Sequence, residues 1–216
     1  MKPYIQSFID ISLEKNVLRF GEFTLKSGRK SPYFFNAGLF NDGESLFKIA
    51  DCYAQRLLES DIEFDILFGP AYKGIPLVSA ISLILASKYN INVGFAFNRK
   101  EKKDHGEGGN LVGADMTNKR VIIVDDLITA GTAIDESMTL LKPVNAKVSG
   151  ILLALNRQEV GKDLATSAVS QIETNYQVPV LSIINFDDII HYAQSKTNFK
   201  DHDHALIKYR QEYGIS

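Results

Sequence analysis

Apolar residues recur along the chain in two rhythms. Five short runs, at residues 63–68, 93–97, 120–124, 147–155 and 178–183, are almost wholly apolar, and several are rich in Val, Ile and Leu. Runs of that length and composition predict strands buried on both faces. Between them, residues 45–59, 74–88, 133–142 and 163–175 carry helical spacing. Strands that alternate with helices predict an α/β fold, a central, mostly parallel β-sheet flanked by helices with right-handed crossovers. Ligands of such sheets sit beyond the carboxyl ends of the strands. The residues that follow each run are therefore the ones to read for chemistry.

The two ends of the chain follow other patterns. A helix is predicted over residues 3–16, and residues 19–36 read as a hairpin with its turn at Ser27-Gly28-Arg29. The hairpin is expected to form a small N-terminal hood over the main sheet. Residues 187–195 and 201–213 read as two closing helices, with Asp187-Asp188 as a favourable charge pair at the first turn of the earlier one. The expected layout is one domain over residues 1–216, with a hood at about 1–40, a core at about 41–185 and C-terminal helices at about 186–216.

Composition narrows the partners. With 216 residues, 45% of them apolar, the chain can bury a substantial core. Its formal net charge of −2 supplies no global field for nucleic acid or a membrane surface. The one cysteine, Cys52, cannot form an intrachain disulfide and sits in a helical pattern, so it reads as a buried thiol. The longest apolar stretch, residues 75–86, is broken by Pro76, Ser79 and Ser82 and is too short to span a bilayer. The opening residues lack the apolar region of a signal peptide. The expectation is a soluble, cytoplasmic protein that acts on small molecules.

The strongest chemical signal follows the third run. Val121-Ile122-Ile123-Val124 delivers Asp125 and Asp126 to a strand tip, and Leu127, Ile128, Thr129, Ala130, Gly131, Thr132 and Ala133 lead into a helix. Small residues let backbone N–H groups approach an anion, the helix start adds a favourable dipole, and the threonine hydroxyls can donate further bonds. Two aspartates beside such a phosphate cradle suit sugar hydroxyls, a divalent metal or developing positive charge. Together they describe a site for ribose 5-phosphate. The pattern lacks the lysine of the Gly-x-x-x-x-Gly-Lys phosphate loop. Residues 121–133 resemble the 5-phosphoribosyl-1-pyrophosphate (PRPP) signature of the type I phosphoribosyltransferases.

Residues 97–113 place Arg99, Lys100, Lys102 and Lys103 within five positions, then His105 and a glycine-rich tail. Glycines permit motion, so the stretch reads as a mobile cationic lid that closes over a polyanion and excludes water. Its order is similar to the catalytic loop of the orotate phosphoribosyltransferases. Gly69-Pro70-Ala71-Tyr72-Lys73-Gly74 follows the first run, and Lys73 falls at a strand tip suited to pyrophosphate. Phe34 and Phe35, adjacent on a strand, cannot face the same side. Arg157, at the end of the fourth run, has the planar fork that recognises carboxylates. Asp201-His202-Asp203-His204 lies on a helix, where such neighbours do not converge on a metal.

The resemblance covers nearly the whole chain and implies the type I phosphoribosyltransferase fold. It implies transfer of ribose 5-phosphate from PRPP to N1 of orotate, giving orotidine 5′-monophosphate and pyrophosphate, a step of pyrimidine biosynthesis. Residues implied at PRPP are Lys26, Tyr72, Lys73, Arg99, Lys100, Lys103, His105, Asp125, Asp126 and the stretch from Leu127 to Ala133. Those implied at orotate are Lys26, Phe34, Phe35, Thr129 and Arg157. Lys103, Asp125, Asp126, Arg99 and His105 are expected to carry the chemistry, with Lys103 the largest contributor within the lid. Mg²⁺ is expected to arrive on PRPP near Asp125 and Asp126 rather than on a protein ligand set. A non-proline cis peptide is implied near Ala71–Tyr72, and a homodimer that shares lid residues 99–109 across subunits. Asn156 departs from the family, where many relatives carry aspartate, and puts only local hydrogen bonding in question. Two other outcomes fit the residues less well: the same chemistry on a purine, or a nucleic-acid-binding regulator that keeps the fold.

Overall fold

The computed structural model describes residues 1–25, 27–103, 109–129, 131–161 and 166–215, without the side chains of residues 102 and 103. Helix α1 (Pro3–Glu14) leads into an antiparallel hairpin of β1 (Leu18–Thr24) and β2 (Lys30–Phe35). After α2 (Gly43–Leu58) the chain alternates through β3 (Ile66–Gly69), α3 (Gly74–Tyr89), β4 (Gly94–Lys103), β5 (Gly109–Gly113), β6 (Arg120–Asp125), α4 (Thr132–Leu141) and β7 (Lys147–Asn156). It closes with α5 (Ala168–Tyr176), β8 (Val180–Asn185), α6 (Phe186–Ser195) and α7 (Lys200–Tyr213). The main sheet has the order β5-β4-β3-β6-β7-β8. Its strands run parallel except β5, which folds back antiparallel on β4 at the edge.

Alternation along the strands explains the layering. Ile122 and Val124 of β6 join Leu67, Leu152 and Ile184 in a core shared with α1, α2, α3, α6 and the inner face of the hairpin. Val121 and Ile123 turn the other way, joining Phe68, Ile151 and Leu153 against Ile134 of α4 and Ile172 of α5. Both faces of the sheet are covered, as the apolar runs predict. The hood is not a detached lobe: Phe8, Leu18, Tyr33 and Phe35 are buried in the same core as the central strands. Cys52 is buried there too, its thiol pushed up to about 12, first by burial and then by the charge of Asp51.

The structure departs from the sequence expectations in three places. β3 begins at Ile66 rather than at residue 63, where Asp65 instead binds the Arg120 guanidinium and backbone N–H. β4 runs on through the charged stretch to Lys103, and β5 pairs with it, so the stem of the expected lid is an edge ribbon. Edge strands tolerate such charge and show no apolar period. The helix expected from residue 163 starts at Ala168, because Ser167 caps it by accepting the Ser170 N–H at 3.0 Å. At α6 the Asp187-Asp188 expectation is met by a capping box between Asn185 and Asp188. No helix among the described residues is long and apolar enough to cross a membrane.

Candidate active site

The carboxyl ends of β3, β6 and β7 converge on the acidic pair. Asp125 and Asp126 are 8% and 7% exposed. Asp125 Oδ1 accepts the Asp126 N–H at 2.8 Å, and the Tyr53 hydroxyl of α2 donates to the Asp125 carbonyl at 3.0 Å. The Asp126 carbonyl accepts from the N–H groups of Ala154 and Leu155 on β7. The backbone of the pair is thus held from both sides. Burial, and then the adjacent Asp126 charge, push the Asp125 carboxyl up to about 7. Asp126 is answered by the Lys73 ammonium at 2.6 Å. The Lys73 side chain is 55% exposed, so it is the movable member of that pair. A cavity of about 160 Å³ lies beside it, between Phe40, Leu46, Tyr53, Leu77 and Ala154.

Lys73 comes from the turn between β3 and α3. A Cβ on Gly69 would collide with the Gly74 backbone, and one on Gly74 with Gly69, so only glycine lets the two limbs of this turn touch. The Ala71–Tyr72 peptide is cis, where the family resemblance implied it. The Ala71 N–H donates to Asn98 Oδ1 of β4 at 2.8 Å, and Tyr72 is 72% exposed. The turn therefore presents Tyr72 and Lys73 outward above the acidic pair.

On the other side of the pair, Leu127 and Ile128 are half-buried and Thr129 is exposed. Gly131 takes φ +79° as the cap of α4, and Thr132 and Ala133 open the helix exposed to solvent. A side chain at Gly131 would press on Ile172 besides adopting an unfavourable backbone. This is an open helix start flanked by hydroxyls, the arrangement that takes an anion. Ala130 lies outside the described residues. Lys100 Nζ stands 3.5 Å from Glu136 of α4, so the ribbon β4–β5 rises beside the same helix. Arg99 donates to the Gly109 carbonyl across the ribbon at 3.5 Å. The Lys103 side chain and His105 lie outside the described residues.

The hood residues divide as adjacent strand positions must. Phe35 is buried and stacks on Phe8, while Phe34 stacks on Phe23 at 5.5 Å with the Arg19 guanidinium over both rings. Among the described residues β2 pairs with β1 alone, which leaves its second edge without a strand partner there. Lys26 lies outside the described residues, but Arg29 of the same turn donates to the carbonyls of Val160 and Gly161 at 2.8 and 2.9 Å. The hairpin tip is thereby tied to the loop beyond β7.

Arg157 is not the open carboxylate fork that the sequence suggested. Its guanidinium is buried 4.6 Å over the Tyr33 ring, and its Nε donates to Glu159 Oε1 at 3.0 Å. Nη2 lies 2.7 Å from the same oxygen without an aligned hydrogen bond, so the group keeps unsatisfied donor capacity. Asn156 Oδ1 accepts the Gln158 N–H at 2.9 Å, a bond an aspartate would make equally. Sequence reasoning missed Tyr53, Asn98 and Glu159. Glu159 stands two residues from Arg157, but Gln158 between them takes φ +49° beyond the end of β7, so strand alternation does not foretell the pairing. Asn98 and Tyr53 carry no local signal.

Residues 38–182 match the family model described as a phosphoribosyl transferase domain. The chain is 53% identical to the orotate phosphoribosyltransferase of Vibrio parahaemolyticus and 52% to that of Escherichia coli strain HS. Each alignment runs over 215 residues and covers 100% of both chains. The crystal structure of the orotate phosphoribosyltransferase of Francisella tularensis is similar at a TM-score of 0.88 and 53% identity, covering 96% of this chain and 98% of that one.

Proposed function

The chain belongs to the orotate phosphoribosyltransferases, and from that membership we propose that it transfers ribose 5-phosphate from PRPP to N1 of orotate in pyrimidine biosynthesis. The observation that carries this is the buried Asp125–Asp126 pair, set between the open start of α4 and the Lys73 ammonium 2.6 Å away. In the reaction the bond from ribose C1 to the pyrophosphate oxygen breaks and a bond from C1 to N1 forms. Orotidine 5′-monophosphate and pyrophosphate leave. N1 enters from the orotate dianion, so the protein need not accept its proton.

Each group has a share. Thr129, Thr132 and the backbone from Leu127 to Ala133 hold the 5′-phosphate. Asp125 and Asp126 accept from the ribose hydroxyls and stabilise the positive charge that grows at C1 as the leaving group departs. Lys73 exchanges Asp126 for the pyrophosphate, joined by Tyr72, Arg99, Lys100, Lys103 and His105, with Lys103 the largest contributor. Orotate lies under the hood against Lys26, the open backbone edge at Phe34–Phe35, Thr129 and the residual donors of Arg157. The setting suits Mg²⁺ carried by PRPP, whose phosphate and sugar oxygens are the hard donors it takes, with Asp125 and Asp126 beside it rather than as its ligand set. When bound on PRPP beside Asp125 and Asp126, the metal offsets the charge of the diphosphate.

The protein acts as a homodimer in which residues 99–109 of one subunit close over the site of the other. Supporting this, α2 and α3 pack on each other and expose Phe47 and Leu83 at 59% and 66%. Mixing a Lys103→Ala chain with an Asp125→Asn chain should restore part of the activity, and no recovery after verified subunit exchange would argue against sharing. The activity itself is tested by the ultraviolet absorbance of orotate with PRPP and Mg²⁺, with adenine, hypoxanthine and uracil in parallel. A PRPP-dependent loss, reversed by pyrophosphate and the nucleotide, is expected. Turnover of another base instead would overturn the assignment of the hood.

A further inference from the structure

The parallel ladder between β3 and β4 stops at Gly69 opposite Phe97, and Pro70 has no N–H to extend it. One step further the tie is continued by a side chain. Asn98 Oδ1 accepts the Ala71 N–H at 2.8 Å, directly before the Ala71–Tyr72 peptide. Asn98 is only 7% exposed. Its other edge faces β5, where Leu111 is its partner in the last regular pair before the register slips toward Lys103. A single buried amide thus joins the turn that carries Tyr72 and Lys73 to the base of the ribbon that carries Arg99 and Lys100.

Resting on the reading of this site as one that holds and releases pyrophosphate, we propose that Asn98 is a positioning residue that sets the Ala71–Lys73 turn against the stem of the cationic ribbon, so that both address one diphosphate. Two cationic segments from different loops stabilise a leaving group only if their spacing is fixed before it binds. A displacement of about 1 Å can cost as much as about a hundredfold in rate. Without the Asn98 acceptor, the Ala71 N–H loses its partner and the turn loses a side-chain tether to β4. Among the described residues the Asn98 side chain bonds to Ala71 and Arg99 and not to the hairpin or Arg157, so orotate binding should be insensitive to it.

The test is calorimetric binding of pyrophosphate with Mg²⁺, and separately of orotate with nucleotide-free enzyme and pyrophosphate, to the full-length chain and to Asn98→Ala. The expected result is a pyrophosphate Kd weakened about tenfold, a fraction of the loss that misplacement can cause, with the orotate Kd measured at saturating pyrophosphate within about twofold. Asn98→Ser, whose hydroxyl is one bond too short to reach Ala71, should show the same split and serves if the alanine variant does not fold. Equal weakening of both ligands, or no weakening of pyrophosphate, would overturn the proposal. Orotate turnover by the unaltered chain tests the underlying reading separately, because pyrophosphate binding is measured without any reaction.

Discussion

Replacing Asp125 with asparagine exchanges a buried carboxyl for a neutral group of the same shape, one that can still accept the Asp126 N–H through its oxygen. In the folded protein that carboxyl keeps its proton up to about 7, because burial and the neighbouring Asp126 charge both oppose ionisation. In the unfolded chain an aspartate ionises near ~3.9. Between those values the folded state binds more protons than the unfolded state, so stability falls as pH rises through the window and the loss is complete above about 7. The full penalty is on the order of 4 kcal/mol. Asparagine carries none of it. The stability advantage of the variant should therefore grow by on the order of 3 kcal/mol between about pH 5 and about pH 8.5. For a chain of this size that is roughly 5–11 °C in Tm. Thermal melts of ligand-free protein across that range measure it directly. A difference that does not change with pH would refute the link between burial and the raised carboxyl, and a variant less stable at the alkaline end would refute it more strongly. On the proposed role of Asp125 at C1, the loss of activity in the variant should be largest above about pH 7, where the native carboxyl is ionised and asparagine stays neutral.

Two further substitutions probe the framework around the site. Glu159→Ala leaves the Arg157 guanidinium buried without its counter-charge and should cost about 3–5 kcal/mol in urea unfolding, whereas a loss within experimental error would show that Tyr33 alone accommodates the charge. Arg29→Ala removes two charge-assisted bonds from the hairpin tip to Val160 and Gly161, each worth about 1.5–3 kcal/mol. It should raise the KM for orotate and, because Lys26 of the same hairpin tip is implied at both substrates, that for PRPP as well, which steady-state kinetics with each substrate varied in turn will show.

Most of the fold was legible because the sheet is buried on both faces. β6 and β7 stand out as nearly unbroken apolar runs, and their lengths were expected to within about a residue from that pattern alone. β5 and the outer half of β4 were not, since an edge ribbon answers to backbone pairing and leaves no apolar period in its side chains. The start of α5 slipped for a different reason: Ser167 looks like any polar loop residue until its bond to the Ser170 N–H marks it as the cap. The open start of α4 beside the acidic pair was legible because its residues are local. Asp125, Asp126 and the turn to Gly131 are contiguous, and their residue types are fixed by backbone approach and helix dipole rather than by distant partners.

Pairings across the fold set the limit, as the two cations near the site illustrate. Lys73 and Arg157 both follow strand tips, and in the sequence both read as free hands for an anion. In the structure each holds a carboxylate, yet the pairs differ in kind. Lys73 is more than half exposed, so water solvates its ammonium when it leaves Asp126, although the buried carboxylate left behind then needs another partner. Arg157 and Glu159 are 13% and 11% exposed, and separating them would strand a charge in the interior. The contrast lies in the cations, since the two carboxylates are equally buried while only the lysine reaches water. On the proposed function, the exposed lysine would serve a leaving group that must depart, and the buried arginine would fix the geometry of a planar substrate through whatever donors Glu159 leaves unused.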